Sequence, residues 1–358
     1  MTLIKVKSRG TDNVTGRKNL IINGAMRIAQ RTTQATSVAS SGYFATDRMK
    51  YYDGSDIVAT VEQVSDAPSG SGFQYSHKVT ATTADTSIGA TELQCPLWYI
   101  IEKQDVDARL AYGTSSAKPL TMSFWIKSNV TGTYTISAYR STSPARVQAQ
   151  TYTISAANTW EYKTLTFLGD TTEAIDTDLN FYFNGFVGGD YDNTSTTSGW
   201  ATYNTGNWAG GHTATWGDTT NDTWQITGLQ LEVGVGASDF EHRSIGEELA
   251  LCKRYYHQIG TGDAQYTPVG VGNTEVSFSN LVIFYPEKMR AAPTLTYSGL
   301  QIFDASVNTA ITSTRSMYAG TQSANLQLFH SGANLTRGRG VYCNLTGTSS
   351  YMALNAEL

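Results

Sequence analysis

The sequence predicts an all-β protein: a jelly-roll or β-sandwich domain, a short linking helix and a second, smaller antiparallel β-domain. Three observations predict it. Only 15% of the 358 residues are charged, while Tyr occurs 21 times and Thr is abundant. That balance favours strands, because β-branched and aromatic side chains suit a pleated, half-buried surface. Short runs of period 2 follow one another with Gly, Asp, Asn and Ser between them, the pattern of an antiparallel sandwich. A single stretch, Ser244 to Gly260, changes clearly to a helical period.

Taken in order, residues 1–18 are basic, show no sustained period and read as an extended arm. Regular structure is expected from NLIINGAMRIAQR, which starts at residue 19. Strands are predicted at Arg48–Tyr52, Ile57–Val64, Phe73–Thr80, Leu120–Lys127, Thr133–Tyr139, Glu161–Phe167, Asn180–Val187 and Trp224–Val233. SFWIKSNVTGTYTIS reads as a hairpin. Phe124 and Ile126 alternate with polar neighbours, Tyr134 and Ile136 do the same, and SNVTG supplies the turn, so both apolar sets are expected on one face. In QITGLQLEV, Gly228 interrupts the alternation of Ile226, Leu229 and Leu231, which predicts a β-bulge.

The helix has its signals in place. Ser244 with Glu247 forms a capping box. Ile245, Leu249, Cys252, Tyr256 and Ile259 are spaced 4, 3, 4, 3 and make one stripe. Lys253, Arg254 and His257 suit the C-terminal end of the dipole, and Gly260 suits the stop. The same stripe is an a/d pattern. It fits a helix packed across its own sandwich, or a three-helix waist about a symmetry axis. The boundaries are therefore an arm at 1–18, a jelly roll at 19–243, a linking helix at 244–260 and a distal β-domain at 261–358. In the last, TEVSFSNLVIFYPEKMRAAPTLTY carries two β-runs, followed by SMYAG, LQLFH, GVYCNL and YMALNAEL.

Several chemistries find no support. No apolar run approaches the roughly 20 residues of a membrane span, and MTLIKVKSRG has no signal-peptide core, so synthesis in a cytoplasm is expected. Cys95, Cys252 and Cys343 form no C-x-x-C pair and read as buried free thiols. His77, His212, His242, His257 and His330 share no metal-ligand spacing. Asp190 and Asp192, with Asn193, alternate oxygen ligands but lack the further carboxylates a Ca²⁺ loop needs. Glu247 and Glu248 are adjacent on a helix and face apart, so they make no acid–base pair. No phosphate loop and no G-x-S-x-G is present. The chain is expected to be no enzyme and to need no cofactor or metal.

Charge is uneven. The first 50 residues hold nine Lys or Arg against two Asp, and the remainder holds 16 against 28. The arm lacks the aromatic interleaving of a single-strand binder, so a protein surface, not nucleic acid, is its expected partner. Lys5, Lys7, Arg9, Arg17 and Lys18 are the expected attachment residues.

Residues 188–222 form a long segment without apolar periodicity, rich in Gly, Thr and Asn, yet set with Tyr191, Trp200, Tyr203, Trp208 and Trp216. Flat rings beside amides and hydroxyls suit saccharide binding; the alternative is that the rings pin the loop to the sandwich. Trp200, Tyr203, Trp208 and Trp216 are candidate ligand residues. Tyr318, Tyr342 and Tyr351, with Phe329 nearby, are the candidates in the distal domain, where a receptor contact far from the attachment end is expected.

NLIINGAMRIAQR, FATDRMKYY, SFWIKSNVTGTYTIS and QITGLQLEVGVGASDFEHRSIGEELALCKRYY together resemble bacteriophage virion appendage proteins, the tail fibre or tail proteins with a carbohydrate-binding-module-like jelly roll. FYPEKMRAAPTLTY and LNAEL resemble the C-terminal domain that follows in such chains. The resemblance covers 19–358 in segments and is densest over 225–257. It implies an all-β fold, a virion location and often a trimer, and names no ligand. The function expected is that of a short tail fibre that attaches by its arm and contacts a host glycan or receptor. A capsid decoration or tail adaptor protein, and a polysaccharide-degrading tailspike, are the alternatives. A homotrimer hides sheet edges and multiplies weak sites.

Overall fold

Two antiparallel sheets face each other across one apolar core. The computed structural model describes residues 17–194, 198–260, 267–275, 277–303, 308–330, 337–347 and 349–358, with the backbone alone at 267, 268, 270, 308 and 316–318. The first strands are β1 (Gln34–Val38), β2 (Gly42–Tyr43), β3 (Lys50–Tyr52), β4 (Val58–Val64), β5 (Ser76–Thr83) and β6 (Leu93–Ile101). After a one-turn helix, α1 (Asp107–Leu110), come β7 (Leu120–Ser128), β8 (Gly132–Arg140), β9 (Arg146–Ile154), β10 (Glu161–Phe167) and β11 (Leu179–Phe183). The sandwich ends with β12 (Phe186–Val187), β13 (Ala201–Thr202) and β14 (Thr223–Val233). A six-stranded sheet runs β1-β4-β5-β14-β7-β10; an eight-stranded sheet runs β13-β9-β8-β11-β6-β3-β2, with β12 added beside β6.

Alternation decides which side chains meet. Met122, Phe124 and Ile126 from one sheet, and Tyr134, Ile136, Phe181 and Phe183 from the other, are all fully buried between the sheets. Each such burial stabilises the fold by about 1.5–3 kcal/mol. The bulge expected in β14 is present: its register against β7 shifts between Thr227 and Gln230. Gly228 takes φ +62°, and a Cβ there would lie 2.6 Å from the Phe73 ring, so glycine answers both the backbone and the space.

The expected hairpin is corrected. β7 pairs with β14 and β10, whereas β8 pairs with β9 and β11 in the other sheet. The SNVTG segment is a crossover at the sandwich edge. Period 2 requires only that Phe124, Ile126, Tyr134 and Ile136 face one core, and two strands on opposite sheets satisfy that as well as two neighbours do.

The helix is also shorter than expected. α2 spans Ile245–Lys253, with the Ser244–Glu247 capping box in place. The next residues turn into β15 (Tyr256–Gly260), which pairs with the last strand of the chain. Tyr256 and Ile259 therefore stand on a strand, not on a helical stripe. The aromatic run at Tyr255 and Tyr256 suits a strand, and a partner edge distant in sequence outweighs the local period. Gly260, at φ +94°, lies where a Cβ would meet Ser350 O at 2.4 Å; it closes a strand. Of the remaining stripe, Ile245 is 48% exposed and Cys252 is buried. Cys252 packs with Ile22, Ile28 and Tyr255, against which Leu249 also lies, so α2 lies on its own chain.

The rest of the chain comprises β16 (Thr267–Thr274), β17 (Phe278–Phe284), β18 (Thr294–Ser298), β19 (Leu300–Phe303), β20 (Asn308–Ala319), β21 (Ser323–His330), β22 (Gly340–Leu345) and β23 (Tyr351–Asn355). A closed barrel, β16-β17-β21-β20-β19-β22, adjoins the sheet β15-β23-β18. Closure removes the sheet edges that invite aggregation. The chain's last residues return to the sandwich: the buried Arg48 pairs with Glu357 and lies 3.6 Å from the Tyr255 ring centroid. Lys50 Nζ donates to the Leu358 carbonyl (3.1 Å).

Candidate functional site

The outward positions of the eight-stranded sheet carry rings where Thr or Ser would be usual. Tyr52 of β3, Trp98 of β6, Tyr139 of β8 and Tyr182 of β11 share that face, opposite the core residues on the same strands. Trp98 stacks on Tyr182 at 4.8 Å and 18°. Tyr52 meets Tyr182 edge-on at 5.8 Å. Lys50 Nζ covers Trp98, 3.7 Å from its ring centroid.

The described residues of the tryptophan-set segment, 188–194 and 198–222, lie across this sheet. β13 extends it at the β9 edge. Further on, Trp208 comes within 4.9 Å of Tyr182 and 5.4 Å of Tyr139, and Tyr203 within 5.3 Å of Tyr139. The result is a cup of about 180 Å³ lined by Tyr52, Leu93, Tyr139, Tyr182, Tyr191, Tyr203 and Trp208. Its floor is buried: Tyr182 and Trp208 expose 9% and 5%. Burial, with the neighbouring phenols, raises the pKa of Tyr52, Tyr139 and Tyr191. Their hydroxyls stay protonated near neutral pH and can both donate and accept hydrogen bonds.

A buried polar network holds the cup. Asn184 Nδ2 donates to Thr135 Oγ1 and Ser137 Oγ, each at 2.9 Å. Its Oδ1 accepts from Trp208 Nε1 at 3.0 Å. Ser137 Oγ donates to the Trp208 carbonyl at 2.7 Å. His212 Nδ1 accepts the Thr135 N–H (3.2 Å), and Nε2 lies 2.9 Å from the Ala214 carbonyl. This pattern assigns the Nε2-protonated neutral ring. Burial drives the His212 pKa down to about 4, against smaller upward contributions from the Ala214 and Gly185 carbonyls. Satisfied buried networks of this kind hold one arrangement of a loop.

The sequence candidates divide. Trp208 and Tyr203 join the cup. Trp216 does not: it is fully buried in the core and cannot meet a ligand. Trp200 packs at the core's margin, edge-on to Tyr112 at 5.9 Å, with Nε1 donating to Leu168 O. Both pin the segment, as the alternative reading of these rings had it. Asp192 accepts the Gly211 N–H, and no cluster of three or more His, Cys, Asp or Glu suited to a metal occurs among the described residues. All three cysteines are free and buried.

The distal candidates are dispersed. Tyr342 stands on the barrel wall, 4.9 Å from Phe303. Tyr351 is half-buried on β23. The Tyr318 side chain lies outside the described residues. A hollow of about 350 Å³ beside the barrel includes neither Tyr342 nor Tyr351. Of the attachment residues, Lys5, Lys7 and Arg9 lie outside the described residues. Arg17 and Lys18 sit on the sandwich: Arg17 is 3.9 Å from Asp105, and Lys18 Nζ donates to Ser238 Oγ and Asp239 O at 2.6 Å.

Tyr52, Trp98, Tyr139 and Tyr182 were missed by sequence reasoning. A signal for three of them existed: a ring at the outward phase of a predicted strand.

No family model matches this chain, and no curated protein matches it. Among solved structures, the enzymatically active domain of bacteriophage CBA120 tailspike protein 4 is similar over 60% of this chain, with 14% identity and a TM-score of 0.34. The match spans 21% of that domain's own length. A putative sugar binding protein from Bacteroides thetaiotaomicron is similar over 60% of this chain and 99% of its own, at 9% identity and TM-score 0.33. A tandem of CBM22 domains from Paenibacillus barcinonensis covers 90% of this chain and 98% of its own, at 9% identity and TM-score 0.29.

Proposed function

We propose that this chain is a non-enzymatic bacteriophage virion protein, a short tail fibre or related appendage, that holds a terminal sugar of a host-surface glycan in the tyrosine cup. The observation that carries this reading is the cup itself: an aromatic floor at the size of a single sugar ring, rimmed by phenol hydroxyls. A pyranose would lay its C–H face on the rings and exchange hydrogen bonds with the Tyr52, Tyr139, Tyr191 and Tyr203 hydroxyls. Among the described residues no carboxylate lines the cup, whereas glycoside hydrolysis uses two that flank the scissile bond.

A contact this small gives a dissociation constant of about 1 mM, roughly −4 kcal/mol. Useful adsorption then requires several copies, and a homotrimer held on the particle by Lys5, Lys7 and Arg9 would supply them. The test is adsorption of purified full-length protein to host cells, with light scattering for mass. Tyr139→Ala and Tyr203→Ala together are expected to abolish adsorption while the melting temperature holds. Undiminished adsorption by the folded double variant would reject the cup, and release of reducing sugar ends by the wild type would favour the depolymerising tailspike.

A further inference from the structure

We propose a second saccharide site on the opposite face of the sandwich: a groove across β14, β7 and β10 that takes an extended neutral oligosaccharide. The groove holds about 730 Å³, about four times the volume of the cup. Trp125 and Tyr162 are direct cross-strand partners on β7 and β10, with ring centroids 5.4 Å apart. Together they form a broad platform, and Tyr162 is 48% exposed.

The facing wall is aromatic too. Phe73 meets Phe240 edge-on at 4.9 Å, and His242 lies 5.5 Å from Phe73 and 4.9 Å from Phe240. These rings come from two loops far apart in sequence. The β14 bulge brings them together: the absence of a Cβ at Gly228 leaves room for Phe73, with Trp125 Cδ1 3.3 Å from the same point.

The polar groups suit a neutral sugar. Ser123 and Thr164 line the floor beside the platform, and Asp239 lines the rim. The Thr164 hydroxyl and the Asp239 carboxylate have no partner among the described residues, so both can bond sugar hydroxyls. Two ring walls with hydroxyls between them match a chain of pyranoses, each of which presents an apolar C–H face and ring hydroxyls. The volume of the groove favours several linked units over one. The sandwich core separates it from the cup, and it does not rest on the cup's being a sugar site.

Full-length protein titrated with xylohexaose, cellohexaose, maltohexaose and mannohexaose, followed by calorimetry and by the indole NMR signals, tests this. At least one hexasaccharide is expected to bind and to shift the Trp125 indole signal. The Trp125→Ala/Tyr162→Ala variant should bind it at least 10-fold more weakly, and Trp125→Phe should retain part of the binding. Tyr139→Ala/Tyr203→Ala should bind it as the wild type does. The proposal fails if none of the four binds the wild type. It fails equally if binding survives in the groove variant, or disappears in the cup variant alone. Tyr162 is exposed and Trp125 half-buried, and an unchanged melting temperature separates lost binding from lost folding.

Discussion

The two outer faces of the sandwich are both rich in rings, and they use them differently. On the eight-stranded sheet, the segment 188–222 lies over the strands, buries most of the aromatic surface and leaves a small cup above a satisfied polar network. On the six-stranded sheet, the loops at 71–73 and 237–242 only border the strands, so Trp125 and Tyr162 remain an open platform. The difference teaches that ring count is a poor guide to a binding surface. A ring contributes to recognition when one face is left to solvent inside a concavity; otherwise it is part of the core.

The sharpest contrast sets Trp216 against Trp125. Trp216→Ala opens a cavity in the shared core and should cost about 3–5 kcal/mol. Trp125→Ala, at a half-buried position on the platform, should cost about 1 kcal/mol. Thermal denaturation of the two variants measures this, and similar melting temperatures would overturn the division into structural and open rings.

The next effect concerns acid. His77 and His212 are held near pKa 4, chiefly by burial, while an unfolded histidine titrates near 6.5. Between those values the unfolded chain binds more protons, so stability present above pH 6.5 is lost as pH falls toward 4. For His212 alone the loss amounts to about 3 kcal/mol. Denaturant melts across that range should show it, and His212→Asn should flatten the slope. Hydrogen exchange should find the 188–222 segment opening before the groove does. An unchanged slope in the variant would remove His212 from the account.

Asn184→Ala should come third, at about 1–3 kcal/mol, because it strands the buried Trp208 indole N–H and takes one hydrogen bond each from Thr135 Oγ1 and Ser137 Oγ. Faster proteolysis within 188–222, with hexasaccharide binding at the groove unaltered, is the expected signature. Loss of both together would mean that the two faces are coupled and the comparison is false.

Much of the architecture is legible in the residues. Alternation located β4, β7, β8, β10 and β14 to within a residue or two, and Ser244 with Glu247 marked the start of α2. These features rest on neighbours a few positions apart, which is why a single chain displays them. Gly228 was legible as a bulge, but the groove it opens was not, since Phe73 and Trp125 reach it from distant strands. Tyr203 and Trp208 could be picked out, yet nothing local separated them from Trp200 and Trp216.

The residues themselves therefore set the periodic part: an all-β chain, the positions of β4, β7, β8, β10 and β14 but not of β6 or β9, the capped start of α2 and a long ring-rich segment. Tertiary structure alone decided that β7 and β8 part into opposite sheets, that Tyr256–Gly260 leaves the helix to pair with Tyr351–Asn355, and which rings face solvent. The physical reason is common to all three. Period and capping are set within one turn or one strand, whereas sheet partner, strand edge and solvent exposure depend on residues tens to hundreds of positions away.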